Sequence, residues 1–134
     1  MTEALIDTDI LSFYFKGDAQ VAARMGDYLE AFPQVNLSII TYYEIIAGLK
    51  FKKAERQLQA FENFANENTV IHISEASASI SASLYASLRQ RGITIGTADM
   101  LIAGIAIENG LTLITNNERH YEAIPGLRVE NWKR

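Results

Sequence analysis

Four short apolar runs most constrain what this chain can become: Ala4 to Asp7, Val35 to Ile40, Val70 to Ile73 and Leu111 to Thr115. Each has the length of a buried strand, and helical spacing occupies the intervals between them. Ile10, Leu11, Phe13, Tyr14 and Phe15 follow the first run; Val21, Met25, Tyr28, Leu29 and Phe32 mark a helix from about Ala19 to Phe32, stopped by Pro33. After the second run come a helix from Tyr42 to about Phe51 and another from about Lys53 to Asn66. Ser74 is placed to cap a helix repeating Ile80, Leu84 and Leu88 that ends near Gly92. The stretch from Thr97 to Asn109 is apolar nearly all round, which predicts a helix buried on several sides, with Gly104 open to a close neighbour. Strands alternating with helices require crossovers, and crossovers place helices on both sheet faces. The predicted fold is α/β: a three-layer α/β/α sandwich with a mainly parallel sheet of four to five strands, the fifth at Leu127 to Val129. No repeat or linker interrupts the 134 residues, so a single domain over 1–134 is expected.

Composition removes several function classes. There are no cysteines, so neither disulfides nor thiolate metal sites can form. The amino-terminal residues carry no basic stretch, and the longest apolar run, Met100 to Ile107, is far short of the roughly 20 residues a membrane span needs. A soluble, cytoplasmic protein without membrane contact is the expectation. The net charge of −4 argues against a surface that grips nucleic acid broadly, but not against an enzyme whose acids are gathered at one point.

Such a point is predicted by the topology. In open parallel sheets ligands bind beyond the carboxyl ends of the strands, where strand order reverses. Asp7 ends the first strand, Glu44 lies just inside the helix after the second, and Asp99 lies in the first turn of the apolar helix. Thr115, Asn116 and Asn117 close the fourth strand on the same rim, and Asp9 stands beside Asp7. An all-oxygen cluster suits a hard cation, Mg²⁺ or Mn²⁺. Without a cation, two carboxylates about 4 Å apart repel by roughly 4 kcal/mol at an effective dielectric near 20. Each acid also has a plainer explanation. Glu44 stands three residues after Thr41, the spacing of a capping box. Asp99 can complement a helix amino terminus, and Asp7 can cap the helix that follows it. Convergence of the segments, not any single acid, favours a metal site.

Basic residues are few and grouped. Lys50, Lys52, Lys53 and Arg56 bracket a helix junction, Arg89 and Arg91 precede Gly92, and Arg119 and His120 follow the asparagine pair. Each group reads either as a solvated helix face or as a local contact to phosphate. Arg119, His120, Lys50 and Lys52 are the candidate phosphate contacts. The pattern Asp7-Thr8-Asp9 after a strand is similar to the start of haloacid-dehalogenase-type phosphatases, with Asp7 as nucleophile and Asp9 as general acid. That family usually has Thr or Val where this chain has Leu11, and an acidic motif where it has Thr115-Asn116-Asn117. A receiver domain fits less well, because the second and third strands end in Ser, Thr or Ile.

Four segments carry a stronger resemblance: Leu-Ile-Asp-Thr-Asp-Ile-Leu-Ser at Leu5 to Ser12, Leu-Ser-Ile-Ile-Thr-Tyr-Tyr-Glu-Ile-Ile-Ala-Gly-Leu at Leu37 to Leu49, Ala-Asp-Met-Leu-Ile-Ala-Gly-Ile-Ala at Ala98 to Ala106, and Leu-Ile-Thr-Asn-Asn at Leu113 to Asn117. In this order and spacing they resemble the VapC-type toxins of the PIN-domain ribonuclease family, over nearly the whole chain. The resemblance implies a metal-dependent endoribonuclease of a type II toxin–antitoxin system. It implies Asp7, Glu44 and Asp99 as acidic ligands, and Asn117 in a fourth position that is often Asp, with Asn116 and Glu118 as its alternatives. It also implies a cognate antitoxin as partner, docking on the helices of Tyr42 to Asn66, and a homodimer. A non-catalytic interaction domain of the same fold is the competing reading.

Overall fold

The computed structural model describes residues 1–134 throughout. Its five strands, β1 (Ala4–Ile6), β2 (Asn36–Ser38), β3 (Thr69–Ile71), β4 (Thr112–Ile114) and β5 (Val129–Glu130), form one sheet in the order β3-β2-β1-β4-β5. All four pairings are parallel. Seven helices connect them: α1 (Thr8–Phe15), α2 (Ala19–Ala31), α3 (Ile39–Phe51), α4 (Glu55–Glu67), α5 (Glu75–Gln90), α6 (Thr97–Glu108) and α7 (Glu118–Tyr121).

The sheet divides the core in two, and strand alternation decides which residue goes where. Leu5 of β1 and Leu113 of β4 face α5, α6 and α7, joining Leu88, Ile102 and Tyr121. Ala4, Ile6 and Ile114 face the other way, joining Ile10, Val21, Met25, Phe61 and Trp132. This is the expected three-layer sandwich. The chain proceeds outward from β1 through β2 to β3, then returns to add β4 and β5 on the opposite side. The reversal of strand order therefore falls between β1 and β4, where Ala4, Leu5 and Ile6 pair with Thr112, Leu113 and Ile114.

Polar groups inside this frame are matched. The Tyr28 hydroxyl accepts from Ala4 N at 3.0 Å, and the buried Asn36 amide donates to Ala4 O at 3.0 Å. Helix α6 is enclosed as its composition predicts, with Met100 and Ile102 through Ala106 buried. It lies against α5 so closely that Ser81 Oγ donates to Met100 O at 2.9 Å.

Several boundaries differ from the sequence expectation. The second strand spans Asn36–Ser38 rather than Val35 to Ile40, because Ser38 ends it by capping α3: its Oγ accepts from Thr41 N at 3.0 Å. The third strand is shifted to Thr69–Ile71 and the fourth trimmed to Thr112–Ile114. Helix α4 starts at Glu55, not Lys53, since Lys53 has φ 56 and makes the turn between α3 and α4. The last strand is shifted to Val129–Glu130 by a turn at Gly126, whose φ is 81. The single turn of α7 was not anticipated at all. No helix is long and apolar enough to cross a membrane.

Candidate active site

The carboxyl ends of β1 and β4 carry the chemistry. Asp7 follows β1 directly, is only 7% exposed, and caps α1 by accepting from Thr8 N at 2.8 Å. So the expected capping role is real. It does not account for the residue's burial among other acids. Burial, then repulsion from Asp9 and, to a smaller degree, Asp99, pushes the Asp7 carboxyl up to about 6 from an ordinary 3.8. Asp9 is raised as well, chiefly by burial, although it accepts from Ile10 N at 2.8 Å and Asn116 N at 3.1 Å. The latter bond ties the start of α1 to the end of β4. Thr115, fully buried, lowers both carboxyls through its hydroxyl and also accepts from Asn117 N at 3.1 Å.

Glu44 reaches the rim from α3, and not as part of a capping box. Ser38 has taken the capping role, which leaves Thr41 and Glu44 free to face α1. Thr8 Oγ1 lies 2.6 Å from Glu44 Oε1 and 2.9 Å from Thr41 Oγ1. With one proton per hydroxyl, Thr8 donates to the carboxylate and accepts from Thr41. Asp99 stands in the first turn of α6, whose amino-terminal cap, Gly96, offers no side chain. There the carboxylate also complements the helix dipole, as expected. Beside it stands His120, with Nε2 2.8 Å from Asp99 Oδ2. His120 Nε2 is buried and has no hydrogen-bond partner.

The asparagines divide. Asn116 uses its backbone N–H for Asp9, while its side-chain oxygen accepts from Asn131 at 3.1 Å. Asn117 opens α7 and its side chain is exposed. Glu118 is turned away from the acids into a two-pronged pair with Arg134, Nε to Oε1 at 2.7 Å. This pairing holds its carboxyl below the usual range and leaves it outside the acidic group. Arg119 is exposed on an open cavity of about 690 Å³ that Asn116, Asn117 and Tyr121 also line. Lys50 and Lys52 are exposed at the far end of α3, about 9 Å from Glu44 along the helix axis for Lys50. His120, a candidate RNA contact, lies beside Asp99.

Two groups escaped sequence reasoning. One is Thr8, whose hydroxyl positions Glu44. The other is Tyr121, 1% exposed, whose buried hydroxyl has no hydrogen-bond partner. Burial and the charges of Asp7, Asp99 and Asp9 drive its pKa far up, so it remains protonated. The acids do not close into a finished cage: no three Asp, Glu or His side chains stand close enough together to hold an ion. Glu44 is held by Thr8, and nothing neutralises the crowding at Asp7. The donor set nevertheless fits a hard cation. It consists of oxygen ligands at the strand-order reversal, one buried carboxylate unfavourably charged, and unpaired polar atoms beside it.

A parallel α/β sandwich with an acidic rim at its strand-order reversal is the class that fold and site define together. Within that class the chain belongs to the PIN-domain family, whose model matches residues 4–125. It is 31% identical over 133 residues to the tRNA(fMet)-specific endonuclease VapC of Shigella flexneri, covering 98% of this chain and 99% of that protein. It is 37% identical over 97 residues to the protein of the same name from Salmonella typhimurium, covering 72% and 74% of the two chains. Among solved structures it is similar to DNA-bound VapBC from Salmonella typhimurium, with TM-score 0.87, 31% identity and coverage of 98% and 99%. The phosphatase alternative built on Asp7 and Asp9 gives way to this membership.

Proposed function

We infer that this chain is a divalent-metal-dependent endoribonuclease and the toxin of a type II toxin–antitoxin pair, acting in the cytoplasm. The observation that carries the reading is Asp7: a buried carboxylate, pushed up to about 6 by burial and by two neighbouring acids, at the strand-order reversal of a PIN-domain fold. Asp7 and Asp99 would hold the cation, Mg²⁺ or Mn²⁺, with Glu44 joining directly or through water. Bound there, it supplies a Lewis acid for a phosphoryl oxygen and lowers the pKa of a water.

The remaining residues prepare the rim. Thr115 fixes Asp7 and Asp9 relative to β4, and Asp9 anchors the backbone of Asn116. Asn117 offers an amide to metal-bound water or phosphate at the position often occupied by Asp, and a neutral group there favours one firmly held ion. Arg119 and, further out, Lys50 and Lys52 give the RNA backbone local positive contacts on an otherwise acidic protein. The helix pair α3 and α4, with Tyr43 and Phe51 exposed on α3, offers the surface for the cognate antitoxin, with a homodimer as the expected assembly. Solved relatives described as VapBC complexes support such a partner.

The test is cleavage by the purified chain, free of antitoxin, on structured RNA. Transfer RNA is the first substrate to try, since two relatives are named for tRNA(fMet). Cutting with Mg²⁺ or Mn²⁺ that stops with EDTA is expected. No cutting with either ion, beside an active VapC control, would leave the non-catalytic interaction domain standing.

Thr8→Val isolates the positioning of Glu44. It removes the donor to Glu44 Oε1, so cleavage should slow by about 10- to 100-fold. Because the site is partly solvated, stability should change by about 1 kcal/mol at most. Unchanged cleavage rates would show that Glu44 needs no such support.

A further inference from the structure

The cavity beside the acidic rim is walled by an arginine held in one orientation. It measures about 690 Å³ and lies between α7 and β5, with Asn116, Asn117, Arg119, Leu127, Val129 and Arg134 among its lining residues. It adjoins the rim, because the Asn116 backbone N–H donates to Asp9. Leu127 and Val129 supply apolar surface, the two asparagines amides, and the two guanidiniums positive charge. Of its two carboxylates, Glu118 and Glu122, the first is engaged by Arg134. Arg134 Nε donates to Glu118 Oε1 at 2.7 Å, and Nη2 donates to Oε2. A guanidinium has five N–H donors, so this pair leaves three, and no other protein group accepts from them. The Arg134 side chain is 74% exposed, against 29% for Glu118. An exposed pair adds little to stability. Its geometric effect is larger, since two parallel bonds fix the plane of the guanidinium and the direction of its free edge. Asn131 donates to Asn116 Oδ1 at 3.1 Å and also supports Glu118, so the carboxylate that orients Arg134 is itself held.

We propose that this cavity is a subsite for one unstacked RNA nucleotide adjoining the scissile phosphate, with Arg134 binding that nucleotide's own phosphate and Glu118 positioning Arg134. The proposal rests on the ribonuclease reading above. Single-stranded RNA is recognised through splayed bases and backbone phosphates, and the cavity offers a surface for each. A base is apolar on its faces and polar on its edges, so it can lie against Leu127 and Val129 with Asn117 at its edge. A phosphate between Arg119 and Arg134 takes up the free guanidinium edge in charge-assisted hydrogen bonds. The net charge of −4 repels RNA at long range, so a guanidinium fixed at one point does what a broad basic face does elsewhere. Glu118 thereby has an effect opposite to its charge. It favours an anion by orienting the cation that receives it.

Steady-state cleavage of transfer RNA by the full chain with Mg²⁺ or Mn²⁺ tests this, with KM and kcat separated and salt varied. In Arg134→Gln, KM should rise about tenfold, and the slope of log KM against log salt should fall by roughly 0.7, the value for one phosphate on a single strand. The change should fall on KM far more than on kcat, since the contact is the same before and during the reaction. Glu118→Gln carries the sharper test. It removes a negative charge beside the RNA, so charge alone predicts a lower KM, whereas lost orientation predicts a KM about threefold higher or more. Combined with Arg134→Gln it should add nothing to the effect of Arg134→Gln alone. Glu67→Gln removes an exposed charge at the end of α4, beside the opposite edge strand β3, and should not raise KM. A KM in Arg134→Gln equal to the wild type overturns the subsite. An unchanged or lowered KM in Glu118→Gln overturns the positioning role, and both results leave the ribonuclease reading intact. A wild type that cuts no RNA with either ion overturns that reading, and this proposal with it.

Discussion

Asp7→Asn should abolish RNA cleavage while making the metal-free protein more stable. Loss of a charged ligand at the reacting centre is expected to reduce the rate by at least roughly 10³-fold. The stability change has the opposite sign from most core substitutions. Folding raises the Asp7 carboxyl from 3.8 to about 6, so the folded state binds this proton more tightly than the unfolded state. Stability therefore falls as pH rises through that window, and the full penalty is present above pH 6. At 1.36 kcal/mol per pKa unit the penalty is about 3 kcal/mol at most. Asparagine removes it and still accepts from Thr8 N. Melts in EDTA should show the variant ahead at pH 7, with the advantage gone below about pH 4. Asp99→Asn should likewise abolish cleavage and leave the metal-free fold at least as stable. A loss of several kcal/mol in EDTA for either variant would make that acid a structural element and end its assignment as a ligand.

Gly104→Ala should be among the most damaging single-methyl changes in the chain. A Cβ at that position would lie 2.0 Å from Ser81 Oγ and 2.6 Å from Ser77 O. The serine hydroxyl can rotate away, but the Ser77 carbonyl belongs to the backbone of α5. The two helices would have to separate, breaking the Ser81–Met100 bond and shifting the helix that carries Asp99. Against a helix-propensity gain of about 1 kcal/mol, a net loss of about 2–4 kcal/mol is expected. Gly48 provides the control. It is helical, has ordinary backbone angles, and a Cβ there would meet nothing within 4 Å. Gly48→Ala should therefore stabilise by about 0.5–1 kcal/mol. Urea unfolding of the two variants should move in opposite directions. A Gly104→Ala protein as stable as the wild type would mean that α5 and α6 do not pack this closely.

Gly104 also shows what kind of information the sequence carried. A small residue in a helix apolar on every side can be read without coordinates, because only close approach of another element makes use of it. Asp7 and Asp99 were legible for a similar reason: both sit at the boundary of a strongly patterned element, and the pattern fixes which rim they reach. Glu44 was placed correctly on the rim but explained incompletely, because Thr41 and Glu44 have capping-box spacing by coincidence. Ser38, three residues earlier, wins the cap because β2 stops there, and strand ends are set by pairing partners distant in sequence. The turn of α7 was invisible, being too short for periodicity to register. With it went the place of His120 beside Asp99 and the enclosed hydroxyl of Tyr121. Thr8 was missed because a hydroxyl acquires a role only from its neighbour, here a residue 36 positions away.

The pairing of β1 with β4 has a consequence in time. Asp9 and the Asn116 backbone it binds are 107 residues apart, and the central strand pair spans nearly the same interval. Contacts of such long range are costly to close and form late. During synthesis the first acids leave the ribosome early, but the strand and hydroxyl that organise them come last. A growing chain thus carries Asp7, Glu44 and Asp99 without an assembled rim. Cleaving activity should switch on only after β4 docks.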